Sequence, residues 1–199
     1  MMNAVISDRL KARFDRWDVA GKGVLRRSDF EHEADRIVRA FGRGSTSPAA
    51  RDLRNALCWM FDVVAGESGA RPDGSVNEQQ FRRVCEDLIF EQGEAAFNRM
   101  LTPVLTAVIG LCAKKDEGRI DRAEFAKWLS AHGMSVADGG VAFDKIDHYG
   151  RGELSLNQML QAVRDYHYGR LDIELISGRP RSFPAGGASR SGVHRKRSS

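Results

Sequence analysis

Residues 14–30 read FDRWDVAGKGVLRRSDF, and residues 116–125 read DEGRIDRAEF. Both stretches set a glycine two residues before an aliphatic residue and end on phenylalanine: Gly23, Leu25 and Phe30 in one, Gly118, Ile120 and Phe125 in the other. The same grammar recurs at Gly74, Val76 and Phe81, and at Gly152, Leu154 and Met159. The chain is therefore an internal-repeat protein of four units, and the repeat decides the fold.

Apolar residues at helical spacing flank each glycine. Ile6, Leu10, Phe14 and Trp17 precede the first, with Ser7 as a candidate N-cap; Phe30, Ala34, Ile37 and Phe41 follow it. Ser47 and Pro48 open the next helix, which carries Leu53, Leu57, Phe61 and Val64. Phe81, Val84, Leu88 and Ile89 follow Gly74, and Gly93 is expected to close that helix. Thr102 and Pro103 read as a second cap and first turn, opening a helix with Leu105, Val108, Ile109 and Cys112. His132 and Gly133 suit a helix end, and Ser135 with Asp138 suits a capping box. The last helix is expected from about Ser155 to Tyr166.

A glycine at position 6 between two helices, with an aliphatic residue at position 8, is the frame of an EF-hand calcium loop. That loop places oxygen ligands at positions 1, 3, 5, 9 and 12. The predicted fold is all-α: four helix–loop–helix units, about eight helices, in two paired lobes. Short β-bridges should join Leu25 to Val76 and Ile120 to Leu154. The divisions are 1–93 and 94–176 for the two pairs, with 177–199 as a disordered basic tail.

The ligands thin out inside this frame. The first loop has Asp18 at position 1 and Asp29 at position 12, but Ala20, Lys22 and Arg26 between them. In the second, Gly69 and Arg71 stand at positions 1 and 3, leaving Asp73, Asn77 and Gln80. The third has Ala113 and Lys115, yet keeps Glu117, Asp121 and Glu124. In the fourth, Asp147 is followed by Tyr149 and Arg151, and Gln158 takes position 12. Calcium asks for six to eight oxygens. The candidate metal residues are Glu117, Asp121 and Glu124, then Asp18 and Asp29, with calcium binding expected to be weak. Lys22, Arg71, Lys115 and Arg151 are open to two readings, as solvated charges or as cations standing in for the metal.

With these motifs over residues 6–165, the chain resembles the bacterial calerythrin-type calcium-binding proteins. Those are similar in turn to sarcoplasmic calcium-binding proteins and calcium-triggered photoproteins. The photoprotein resemblance implies a space between the lobes holding a small aromatic substrate against Trp, Tyr and His. Trp17, Trp59, Trp128, His132 and Tyr166 are the matching candidates for a ligand cavity, although aromatic residues at helical spacing are ordinarily core. His132 alternatively ends a helix, where its charge suits the dipole.

Two functions follow as expectations. One is an EF-hand relative acting as a calcium-independent or weakly calcium-binding scaffold with a protein partner. The alternative is a bundle repurposed to bind or transform a small apolar molecule in specialised metabolism. No nucleophile motif, phosphate-cradling loop or metalloenzyme ligand set stands out, so no residue takes a catalytic role. The 199 residues are 42% hydrophobic, enough for a real core, and hold no membrane-length apolar run. No signal segment opens the chain, so a cytoplasmic protein is expected. Cys58, Cys85 and Cys112 lie in apolar stretches and read as buried free thiols. The net charge is +4, but residues 177–199 carry six basic and no acidic groups; removing those six leaves −2 for residues 1–176. The tail, not the body, is the candidate contact for an acidic partner.

Overall fold

The computed structural model describes residues 2–70, 74–113 and 117–171, with side chains from Ile6 onward. Arg71, Asp73 and Lys115 lie outside the described residues, as does the tail 177–199. Eight α-helices alternate with four short strands among the described residues. In chain order these are α1 (Met2–Trp17), β1 (Val24–Leu25), α2 (Arg27–Ala40), α3 (Pro48–Ser68), β2 (Val76–Asn77) and α4 (Glu78–Phe90). The second half has α5 (Gly93–Gly110), β3 (Arg119–Asp121), α6 (Arg122–Ala131), α7 (Val136–Ile146), β4 (Glu153–Ser155) and α8 (Leu156–His167). The strands pair antiparallel with Leu25 opposite Val76 and Ile120 opposite Leu154, the expected register. All four are buried. Each strand pair joins two loops, making two helix–loop–helix pairs.

The helices that leave the loops start from reciprocal caps. Asn77 accepts from the Gln80 amide at 2.9 Å, while Gln80 accepts from Asn77 N–H at 3.0 Å. Asp121 with Glu124, and Ser155 with Gln158, repeat this at α6 and α8. Two donors of each helix N-terminus are thereby satisfied, typically about 1 kcal/mol per cap. Ser47 and Ser135 cap α3 and α7 as expected.

Two helix starts differ from expectation. The first helix begins at Met2, ahead of Ser7, which lies inside it. Helix α5 begins at Gly93 and runs through Pro103, and the Thr102 hydroxyl donates to the Asn98 carbonyl at 2.7 Å instead of capping. A proline inside a helix costs about 3 kcal/mol. Here Phe97, Met100, Leu101, Val104, Leu105 and Val108 are buried on both sides of it. Burying each large side chain contributes about 1.5–3 kcal/mol, so the continuous apolar stripe outweighs the break.

The buried side chains form one continuous core across both pairs, from Ile6 to Tyr166. Polar contacts also cross between the halves. Arg43 donates to the carbonyls of Leu111 at 2.9 Å and Cys112 at 3.3 Å, and the Tyr168 hydroxyl donates to Ile89 O at 2.7 Å. Gly139 allows α7 to lie against α6, since a Cβ there would sit 2.9 Å from Ala126 Cα. The three cysteines are buried and unpaired. No described helix is long and apolar enough to cross a membrane.

Candidate functional site: loops, seam and cavity

The four loops close in two ways. In the first and fourth, the position-1 aspartate does it. Asp18 accepts from Lys22 N–H at 2.8 Å and Gly23 N–H at 2.6 Å. Asp147 accepts from Arg151 N–H at 3.0 Å and Gly152 N–H at 2.7 Å. Lys22 and Arg151 thus serve through their backbone. The Lys22 side chain is exposed and makes no ion pair among the described residues, and the Arg151 guanidinium stacks 5.5 Å from the Tyr149 ring. For these two residues, the reading of a cation replacing the metal fails.

In the second and third loops, position 1 has no side-chain oxygen, and position 12 reaches back. Glu124, buried, accepts from Ala113 N–H at 2.6 Å. Gln80 donates through Nε2 to the carbonyls of Gly69 at 3.3 Å and Ser68 at 3.5 Å. Its Oε1 is fixed towards Asn77 N–H, so the partners determine the amide orientation. Arg83 donates to the same Ser68 carbonyl at 3.1 Å.

These contacts test the fit of calcium to the loops. At position 12 the ion wants a bidentate carboxylate; Gln80 presents an N–H₂ group to the loop carbonyls, and Gln158 turns its oxygen to Ser155. Neither arrangement fits the ion. Of the candidate metal residues, Asp121 and Glu124 are held together at the start of α6, and Glu117 is exposed. Asp18 lies on its own loop amides, while Asp29 accepts from Arg26 N–H at 2.7 Å. No group of three or more His, Cys, Asp or Glu side chains suited to a metal occurs among the described residues.

Positions 9 and 12 have a capping role that a ligand count does not reveal. Its signal is plain at 77–80 (NEQQ), 121–124 (DRAE) and 155–158 (SLNQ), each an N-cap residue followed three places later by Glu or Gln.

Between the halves lies a polar seam. Glu33 of α2 is fully buried and takes a hydrogen bond from Arg36. Its other oxygen is 2.8 Å from His132 Nδ1, an ion-pair distance without the direction of a hydrogen bond. Arg16 caps the end of α6 by donating to Ala131 O at 2.6 Å. Burial, with Arg13, Arg16 and Arg36 nearby, holds the His132 imidazole well below its usual range. Arg36 already balances Glu33, so His132 is neutral at pH 7. It ends α6 as expected, but it brings no charge to the helix dipole.

A cavity of about 40 Å³ is bounded by α1, α2, α3, α4, α5 and the end of α8. Trp17 lines it. Of the other aromatic candidates, Trp59 is 41% exposed on the outside of α3, Trp128 packs edge-on to His132 at 5.8 Å, and Tyr166 is buried under the Arg9 guanidinium. The cavity instead presents two basic residues, Arg13 and His167. Burial pushes the His167 imidazole down to about 3, so it too is neutral. Burial also pushes the Cys85 thiol in the same wall up to about 12, which leaves it inert.

No family model matches the chain. It is 53% identical over 176 residues to calerythrin from Saccharopolyspora erythraea, spanning 88% of this chain and 99% of that one. Its fold is that of a Streptomyces coelicolor calcium-binding protein, with a TM-score of 0.70 at 24% identity over 82% of this chain and 98% of the other. A coelenterazine-binding protein from Renilla muelleri gives 0.66 at 21% identity, over 89% and 96%. With its four glycine-centred loops, its two strand pairs and that degree of identity, the chain belongs to the calerythrin family of EF-hand calcium-binding proteins.

Proposed function

We propose that this chain is an EF-hand scaffold that holds its folded form without calcium, or with weak calcium binding at most. The observation that carries this reading is the closure of all four loops by their own hydrogen bonds, above all the Gln80 amide donating where a metal would need an acceptor. An EF-hand sensor changes shape because calcium draws the position-12 side chain towards position 1. Here Glu124 already spans that distance to Ala113, and Asp18 and Asp147 already hold their loop amides. Calcium has little rearrangement left to drive. Any residual binding belongs to the third loop, with Glu117, Asp121 and Glu124. The cargo of such a scaffold is a protein partner, with the basic tail available to an acidic surface.

Calorimetric titration with calcium, paired with melting in chelator and in calcium, tests this. The expected result is one weak site or none and an unchanged melting temperature. Two or more ions bound at micromolar affinity would overturn it, because a ligand at a hundredfold excess over its Kd stabilises the native state by about 2.7 kcal/mol.

A further inference from the structure

The cavity between the halves has a lining that a filled core does not need. Among the described residues that line it, all are apolar apart from Arg13 and His167, and none is a carboxylate. Arg13 comes from α1, is partly exposed, and has no hydrogen bond or ion pair among the described residues; one face of its guanidinium lies 5.0 Å from the Trp17 ring. A guanidinium partly withdrawn from water without a counter-charge is costly to keep. Burial pulls its pKa down to about 10, so it is still a cation at neutral pH. His167 is buried, and its Nδ1 has no hydrogen-bond partner. Two nitrogen groups of this kind, on an otherwise apolar wall, complement a single negative head on an apolar body.

We infer that this cavity binds a short-chain aliphatic carboxylate, its carboxylate on Arg13 and His167 and its alkyl chain among the apolar side chains. Size sets the chain length. A single water needs about 10–15 Å³ of such volume, so the 40 Å³ here holds about three water-sized groups, enough for the propyl tail of butanoate alone, and its carboxylate must sit outside that volume, at the mouth beside the partly exposed Arg13. Arg13, being partly exposed, marks the way in. Met60 and Met100 in the wall are flexible, polarisable side chains that can close around the tail. Arginine presents paired donors to the two carboxylate oxygens, and the neutral His167 ring adds one N–H. The inference goes beyond the scaffold reading and does not depend on it, since no loop residue takes part.

The test uses the full chain in chelator, so that a calcium effect cannot enter. Butanoate, 1-butanol and butylammonium are titrated while the methyl signals of Met60 and Met100 are followed by NMR, with Trp17 fluorescence alongside. The expected order is butanoate at least tenfold tighter than butanol, with no butylammonium binding, and shifts at both methionines. Decanoate, too long for the space, should bind no tighter than butanoate. In Arg13→Met, butanoate should lose its tenfold advantage while butanol still binds, which shows the cavity intact; Arg13→Lys should restore part of the preference. Equal binding of acid and alcohol by the wild-type chain overturns the inference, whether or not the variants fold. So does the absence of butanoate binding at millimolar concentration, shifts confined to other methionines, or an undiminished preference in Arg13→Met. Failure here leaves the calorimetric result with calcium untouched, so the two readings fall separately.

Discussion

The first and fourth loops differ from the second and third in which end of the loop does the closing. Asp18 and Asp147 hold their loops from position 1, each with both carboxylate oxygens on backbone amides. Glu124 and Gln80 hold theirs from position 12, one by accepting and the other by donating. An EF-hand loop is a ring of oxygens that needs a centre to stop it from opening. A metal is one such centre; a carboxylate on two amides, or a long side chain thrown across the ends, is another. The contrast also ranks the loops. Asp147 is 8% exposed and Glu124 likewise 8%, whereas Asp18 and Gln80 are less buried, so the second pair of hands depends more on its closing groups.

The largest effect should come from Asp147→Ala. It removes a buried carboxylate that holds the amides of the exposed Arg151 and Gly152, and hydrogen bonds to a charged group contribute about 1.5–3 kcal/mol. A loss of about 3 kcal/mol is expected, lowering Tm by roughly 6–12 °C for a chain of this size. Asp18→Ala, at the more exposed counterpart, should cost about half as much. Equal losses measured by thermal melting would break the ranking of the loops by burial.

Acid separates the loops from the two buried histidines. His132 and His167 are neutral in the folded chain because burial lowers their pKa values. The unfolded chain binds protons at these sites first, so the stability they contribute is present above the unfolded value of about 6.5 and is lost as pH falls below it. With His167 at about 3, the loss between pH 7 and pH 5 is about 2 kcal/mol, and His132 adds to it with the same sign. Denaturant melts across that range should show this slope, and His167→Gln should flatten it. An unaltered slope in that variant would move the acid sensitivity back to the loops.

The glycine spacing was enough to read the topology, because a turn with φ near +70° at Gly23, Gly74 and Gly152 tolerates little else, and the aliphatic residue two places on must enter the strand pair. Helix starts were harder. Ser7 and Thr102–Pro103 look like caps locally, but apolar side chains on both sides carry the helix through, a tertiary effect that no local signal reports. At the loops, oxygen-bearing residues could be listed from the sequence, yet their partners could not. Asp121 and Glu124 serve α6 as a cap as much as they could serve an ion. The cavity was the least legible: Arg13 reads as one more surface arginine on an amphipathic helix until the second half of the chain packs over it.

The two position-12 closures give the finer test. Glu124→Ala should cost about 2 kcal/mol by leaving Ala113 N–H and one α6 donor unpaired, and Glu124→Gln about half that, since its oxygen can still accept. The smallest effect is expected from Gln80→Glu, and it is the most informative. In chelator the new carboxylate faces the carbonyls of Ser68 and Gly69, a repulsion that the nearby Arg83 partly offsets, so about 1 kcal/mol should be lost. In millimolar calcium the same carboxylate supplies the oxygens that position 12 lacks, and part of the loss should return. Recovery by calcium in Gln80→Glu alone, with none in the unaltered chain, would show that one amide separates a loop closed by itself from a loop closed by a metal. If calcium has no effect on the variant, then positions 1 and 3 of that loop, Gly69 and Arg71, are the stronger barrier, and position 12 merely follows them.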